Sequence, residues 1–130
     1  MKISKIYVDM DGVLCNFEKR YKERYGEISE TDRRSVFRSN FADFIATNQF
    51  ATLEPMPDFY GLKDYLDGIN IPKQILSSTA YEETYETISR QKKEWLQKYN
   101  VTWPDPIFVP GKRHKCKYAQ PDTIIIDDTW

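Results

Sequence analysis

Two aspartates one residue apart, Asp9 and Asp11, follow the apolar run Ile6-Tyr7-Val8, and Gly12 comes directly after them. Near the other end of the chain a second apolar run, Thr123-Ile124-Ile125-Ile126, ends in the adjacent pair Asp127 and Asp128. Each run has the composition of a buried strand, so each delivers a carboxylate pair to a strand end. Four carboxylates brought together repel one another unless a cation sits among them. The pattern predicts a divalent-metal site, with phosphate chemistry as its natural use. Side chains at i and i+2 of an extended segment point the same way, so one of Asp9 and Asp11 can attack while the other handles a proton. A carboxylate can take a phosphoryl group directly as an aspartyl-phosphate, and a protonated Asp11 can supply the proton that a leaving alkoxide needs. Gly12 lets the backbone turn sharply beneath a phosphate. Taken alone, Asp-x-Asp-Gly is equally an ordinary charged turn; the distant second acid pair favours the chemical reading. Mg2+ prefers few protein carboxylates together with water and phosphate oxygen. The expected ligands are Asp9, the backbone carbonyl of Asp11, and one of Asp127 or Asp128.

Two further segments carry polar groups suited to an anion. Ser77 and Ser78 follow the apolar residues Ile75 and Leu76 and precede Thr79-Ala80-Tyr81-Glu82, which has the form of a capping box. A helix starting there would aim free N–H groups and a positive dipole end at a phosphate, with Ser77 and then Ser78 donating from their hydroxyls; simple capping is the competing reading. Gly111-Lys112-Arg113-His114-Lys115-Cys116-Lys117 is a dense basic cluster. One lysine from it is expected in the site, where it neutralises charge on the transferring phosphate. His114, the lone histidine, reads as a surface residue.

These residues need a scaffold. Residues 3–8 read as a buried strand, and Leu14, Phe17, Tyr21 and Tyr25 as a helix stopped by Gly26. Residues 27–57 are polar and aromatic, with a helix start at Ser29 and apolar positions Phe37, Phe41, Phe44 and Ile45; Pro55 and Pro57 close this insert. Phe59, Leu62, Tyr65 and Leu66 mark a helix over 58–67, residues 73–77 a strand, and Tyr81, Tyr85, Ile88, Trp95, Leu96 and Tyr99 a long helix. Residues 107–109 and 123–126 are further strands, with 111–119 a basic loop or short helix between them. The order predicts a three-layer α/β domain with a mainly parallel sheet, and ligands in such sheets bind at the C-terminal strand ends. Asp9, Ser77 and Asp127 all stand at such ends.

A chain of 130 residues suits one domain with its own core and not two. A net charge of −1 offers no bulk attraction for a nucleic-acid polymer or a membrane. Cys15 and Cys116 have no metal-ligand or disulfide spacing. Lys5, Asp9 and Asp11 interrupt the N-terminal apolar run, so it is not read as a signal sequence, and no stretch reaches transmembrane length. A cytoplasmic location is the expectation.

Asp9-Met10-Asp11-Gly12-Val13, Ser77 after an apolar strand, a lysine within 112–117 and Asp127-Asp128, in this order, resemble the motifs of the haloacid dehalogenase-type phosphohydrolase superfamily. Asp9 to Leu14 followed by Phe17-Glu18 is similar to the opening of its 5'(3')-deoxyribonucleotidases. Residues 50–57 resemble their stretch leading out of a small helical cap, and Lys92 and Trp95 fall on a similar lysine-and-tryptophan helix. Lys117, ten residues before Asp127, matches the spacing of their phosphate-binding lysine. The resemblance implies a Rossmann-like core (1–26 and 58–130) with a small cap at about 27–57. It further implies Asp9 as nucleophile, Asp11 as general acid and base, Ser77 and Lys117 on the phosphate, and Mg2+ held with Asp128 as the direct ligand of the closing pair. Phe17 and Phe50 would line a nucleobase pocket or pack the cap on the core. The substrate implied is a small phosphorylated molecule, a nucleoside monophosphate first. A phosphatase of nucleic-acid 3' ends and a catalytically weak nucleotide-binding protein are the alternatives. The chain departs from the family in having Ser77-Ser78-Thr79-Ala80 without the usual proline. It also lacks the usual helix and strand after the acid pair, so a homodimer or partner covering that sheet edge is expected.

Overall fold

The computed structural model describes residues 2–26 and 33–128; the expected helix start at Ser29 lies outside them. The element order is β1 (Lys5–Val8), α1 (Phe17–Tyr25), α2 (Arg33–Ala46), α3 (Phe59–Asp67), β2 (Lys73–Ser78), α4 (Tyr85–Lys98), β3 (Ile107–Val109) and β4 (Thr123–Ile126), with 3-10 turns at Gln49–Thr52 and Lys112–Tyr118. The four strands form one sheet in the order β3-β2-β1-β4, and every pairing is parallel. The fold is α/β and Rossmann-like. No helix among the described residues is long and apolar enough to cross a membrane.

Alternation along the strands sends apolar side chains to both faces of the sheet. Ile6, Val8, Ile75 and Phe108 point into the main core, where they meet Leu14, Phe59, Leu66, Ile88, Trp95 and Leu96. Tyr7, Leu76 and Val109 point the other way and are covered by Tyr118 of the second 3-10 turn, beside Ile107 and Ile125. Among the described residues no α-helix contributes to that second cluster; the layer there is a 3-10 turn rather than a helix. All apolar strand residues here are β-branched, aromatic or leucine, which suits strands such as β1 and β2 that are covered on both faces, while at the β4 edge Ile124 is exposed.

Two expectations of local structure are corrected. Leu14 does not start α1. It belongs to a tight turn in which the amides of Val13, Leu14 and Cys15 all donate to the carbonyl of Met10, and α1 begins at Phe17 behind the Asn16 cap. The long helix does not open at Thr79 either. Ala80 adopts a positive φ of 69°, Thr79 donates through its amide and hydroxyl to the Val109 carbonyl, and the helix starts only at Tyr85. Tyr81 and Tyr85 are consequently surface residues, not core.

Candidate active site

The C-terminal ends of β1, β2 and β4 meet at one cavity of about 330 Å3, lined by Asp9, Asp11, Phe17, Phe37, Phe41, Phe50, Ser78, Thr79, Lys112, Lys115 and Asp128, among others. β1 is central, between β2 and β4, so the in-register pairing of Val8 with Ile126 sets Asp9 beside Asp127. The Asp9 amide extends the ladder by donating to the Ile126 carbonyl at 3.0 Å. Carboxylate oxygens of Asp9, Asp127 and Asp128 lie within 4.8 Å of one another. The two acid pairs read from the sequence are thus brought together.

Gly12 is where this convergence is tightest. Its φ is +81°, and a Cβ there would overlap Asp128 Oδ2 and stand 3.0 Å from Asp128 Cβ. Only glycine lets the turn after Asp11 pass under the closing acids without displacing Asp128.

Two lysines approach the acids from opposite faces of the sheet. Lys115, on the 3-10 turn, donates to Asp9 and Asp127 at 3.0 Å each. Lys92, on α4, is 1% exposed and donates to Asp11 Oδ2 at 3.1 Å, Ser77 Oγ at 2.7 Å and the Ser78 carbonyl at 2.8 Å. Lys117 is exposed and lies outside the cavity. The reason is periodicity: a 3-10 turn repeats about every three residues, so Lys112, Lys115 and Tyr118 share the face turned to the sheet and Lys117 falls off it. The spacing to Asp127 points to Lys117, whereas the lysine in contact with Asp9 and Asp127 is Lys115. Lys92 did not enter the expected site set, although its position betrays it: it occupies the apolar stripe of α4 with Ile88, Trp95 and Leu96, all buried.

The serines divide their labour. An ammonium group only donates, so Ser77 Oγ accepts from Lys92 and keeps its own hydrogen to give. Ser77 is fully buried and lies behind the lining, whereas Ser78 and Thr79 form it. Ser78 Oγ accepts from the Ala80 amide at 3.1 Å, which leaves its hydrogen free for an anion. The helix dipole expected at this point is absent, because α4 starts farther along.

The aromatic wall is fixed from below. Gln91 of α4 accepts from the Phe50 amide and donates to the Ile45 carbonyl, Trp95 Nε1 donates to the Leu53 carbonyl at 2.8 Å, and Arg20 of α1 binds Gln49 and Thr52. These contacts hold the Gln49–Thr52 turn so that Phe50 reaches the cavity. Phe17 and Phe50 stack on each other, with centroids 5.6 Å apart and planes within 8°. A third ring inserted between them needs about 7 Å, twice the usual stacking distance, so a planar ligand would lie across this pair rather than within it. Phe37 and Phe41, read from sequence only as apolar helix positions, also line the cavity.

Electrostatics follow from this packing. Burial, partly offset by Lys115 and Lys92, raises the Asp9 carboxyl from 3.8 to about 6. Burial and the neighbouring Asp127 also raise Asp128. Burial pulls Lys115 down, but Asp9 and Asp127 outweigh it, and its pKa ends above the ordinary value. Four carboxylates here face two buried ammonium groups. With all ionised, the acids outnumber these two ammonium groups, and Lys112, at the cavity wall, also faces Asp128. The donors are all oxygens, which suit a hard ion. Asp9, Asp127 and Asp128 are the side chains that could hold one, with Lys115 giving way at Asp9 and Asp127, while the Asp11 side chain is paired with Lys92.

No family model matches this chain, and none of the curated proteins compared with it does.

Proposed function

We propose that the chain is a Mg2+-dependent phosphomonoesterase working through an aspartyl-phosphate, of the haloacid dehalogenase type its motifs resemble, and that it hydrolyses small nucleoside monophosphates. The observation that carries this reading is the convergence of Asp9, Asp127 and Asp128 within 4.8 Å, with Asp11 and Lys115 beside them. Mg2+, held by Asp9, Asp127 and Asp128, would supply Lewis-acid neutralisation of phosphate charge when bound. An Asp9 carboxylate oxygen attacks phosphorus; the P–O bond to the leaving group breaks, and the Asp11 carboxyl gives its proton to the departing alkoxide. Water then attacks the aspartyl-phosphate, its proton passes to the Asp11 carboxylate, and the Asp9–phosphorus linkage breaks to release inorganic phosphate. Lys115 neutralises charge beside Asp9 throughout, and the Ser78 hydroxyl donates to a phosphate oxygen.

The four phenylalanines of the cavity wall favour a substrate carrying a flat apolar group. The net charge of −1 disfavours a polymer with many phosphates. The test is phosphate release from p-nitrophenyl phosphate and a panel of nucleoside monophosphates, with Mg2+ or with EDTA. Turnover that requires Mg2+ and falls at least about a thousandfold in Asp9→Asn supports the reading. Turnover indifferent to Asp9→Asn overturns it.

A further inference from the structure

We propose that Lys92 is a positioning residue that fixes the Asp11 carboxylate for its two proton transfers; this rests on the phosphomonoesterase reading above. An ammonium group has three protons, and Lys92 spends all of them on Asp11 Oδ2, Ser77 Oγ and the Ser78 carbonyl. None remains for a substrate, and Lys92 does not line the cavity, unlike Lys112 and Lys115. Its action on the reaction therefore passes through the groups it holds. Of those groups, Asp11 is the one that lines the cavity with a titratable side chain. Asp11 Oδ2 has Lys92 as its hydrogen-bond partner, and Asp11 Oδ1 is buried with none among the described residues. The Asp11 side chain is 34% exposed while the Lys92 side chain is 1% exposed, so the partly exposed, cavity-facing acid is tied to a cation buried in the core. Desolvating an ammonium group opposes folding, and an apolar residue would fill the same place in the α4 stripe. The placement makes sense if a fixed Asp11 is what the lysine provides.

A proton donor matters in proportion to the basicity of the leaving group. An alkoxide leaves only as the P–O bond breaks with the Asp11 proton moving onto its oxygen; p-nitrophenolate leaves without one. The experiment compares Lys92→Met and Lys92→Gln with the wild type in single-turnover reactions on a nucleoside 5'-monophosphate and on p-nitrophenyl phosphate, with circular dichroism to confirm folding. Misplacing Asp11 should cost the alkyl ester at least about tenfold more than the aryl ester, within the range of about 10²–10⁴ known for general acids. Asp11→Asn should show the same bias, and the double variant no further loss on the alkyl ester. Each bias is a ratio within one variant, so a partly unfolded fraction cancels. Equal losses on both esters, or none on either, overturn the role of Lys92 and leave the phosphatase reading standing. A wild type that turns over neither ester overturns both.

Discussion

Asp9 is held at a cost to folding that can be measured. Its carboxyl is raised from 3.8 to about 6, with burial the leading cause. The folded chain therefore binds a proton more tightly than the unfolded chain, and stability falls as pH rises between these values. At about 1.4 kcal/mol per pH unit, the penalty above pH 7 is about 3 kcal/mol, a large share of the margin of a small domain. Asp9→Asn resembles the protonated side chain and removes the penalty. In EDTA, Asp9→Asn should match the wild type near pH 4 and exceed it by about 2–3 kcal/mol at pH 7.5. Other shifted groups do not mimic this. Lys115 is raised, so its contribution is complete below 10.5 and constant across this window. Asp43, Glu54 and Asp67 are lowered and lose their contributions only toward the acid end, in both proteins alike. Asp128 is raised and adds a fall of the same sign; because it lies within 4.8 Å of Asp9, Asp128→Asn and the double variant are measured beside Asp9→Asn to separate the two. The assay is urea unfolding at pH 4 to 8. Added Mg2+ should close the gap at about a hundred times its Kd, where a ligand stabilises by about 2.7 kcal/mol, and reverse the order only toward a thousand times, where it gives about 4.1 kcal/mol, because Asp9→Asn has lost a ligating oxygen. An Asp9→Asn protein no more stable than the wild type at pH 7.5 in EDTA would refute the account of a buried, reluctant anion.

Two other substitutions test the geometry. Gly12→Ala should lose about 1–2 kcal/mol from the left-handed backbone alone, and it should weaken Mg2+ binding at least about tenfold as Asp128 is pushed aside; thermal melts with and without Mg2+ measure both. Lys115→Met should lower kcat/KM by about 10²–10³, while Lys117→Met, changing an exposed residue outside the cavity, should stay within about twofold. Steady-state kinetics on one substrate decide between the two lysines.

The parts of this molecule that could be read in advance are those governed by short-range pattern. The strands were legible because runs such as Ile6 to Val8 and Ile124 to Ile126 are apolar, short and bounded by polar residues, and a parallel sheet then forces their acid-bearing ends to one side. What escaped depends on conformations that pattern does not encode. Ala80 turns the chain with a positive φ, which no residue preference announces, so the expected helix start after Ser78 moved to Tyr85. The basic cluster was read by its spacing to Asp127, whereas a 3-10 repeat decides which lysine faces inward. Lys92 escaped because a lysine in a helix is ordinarily solvated; its place at i+4 from Ile88 and i−4 from Leu96 was the available signal.

Lys92 and Lys115 together explain how four carboxylates come together at one end of the sheet. The sheet end concentrates four carboxylates, and each face of the sheet contributes one ammonium group, from α4 on one side and from the 3-10 turn on the other. Lys115 bridges the N-terminal and C-terminal acids, Asp9 and Asp127, so the charges that would drive β1 and β4 apart instead share a counterion. Lys92 does the same for Asp11 and ties it to the end of β2. Two buried lysines offset part of the repulsion among the four acids. The Asp9 carboxyl, raised by burial despite both lysines, is the acid of this group for which the lysines compensate burial least completely.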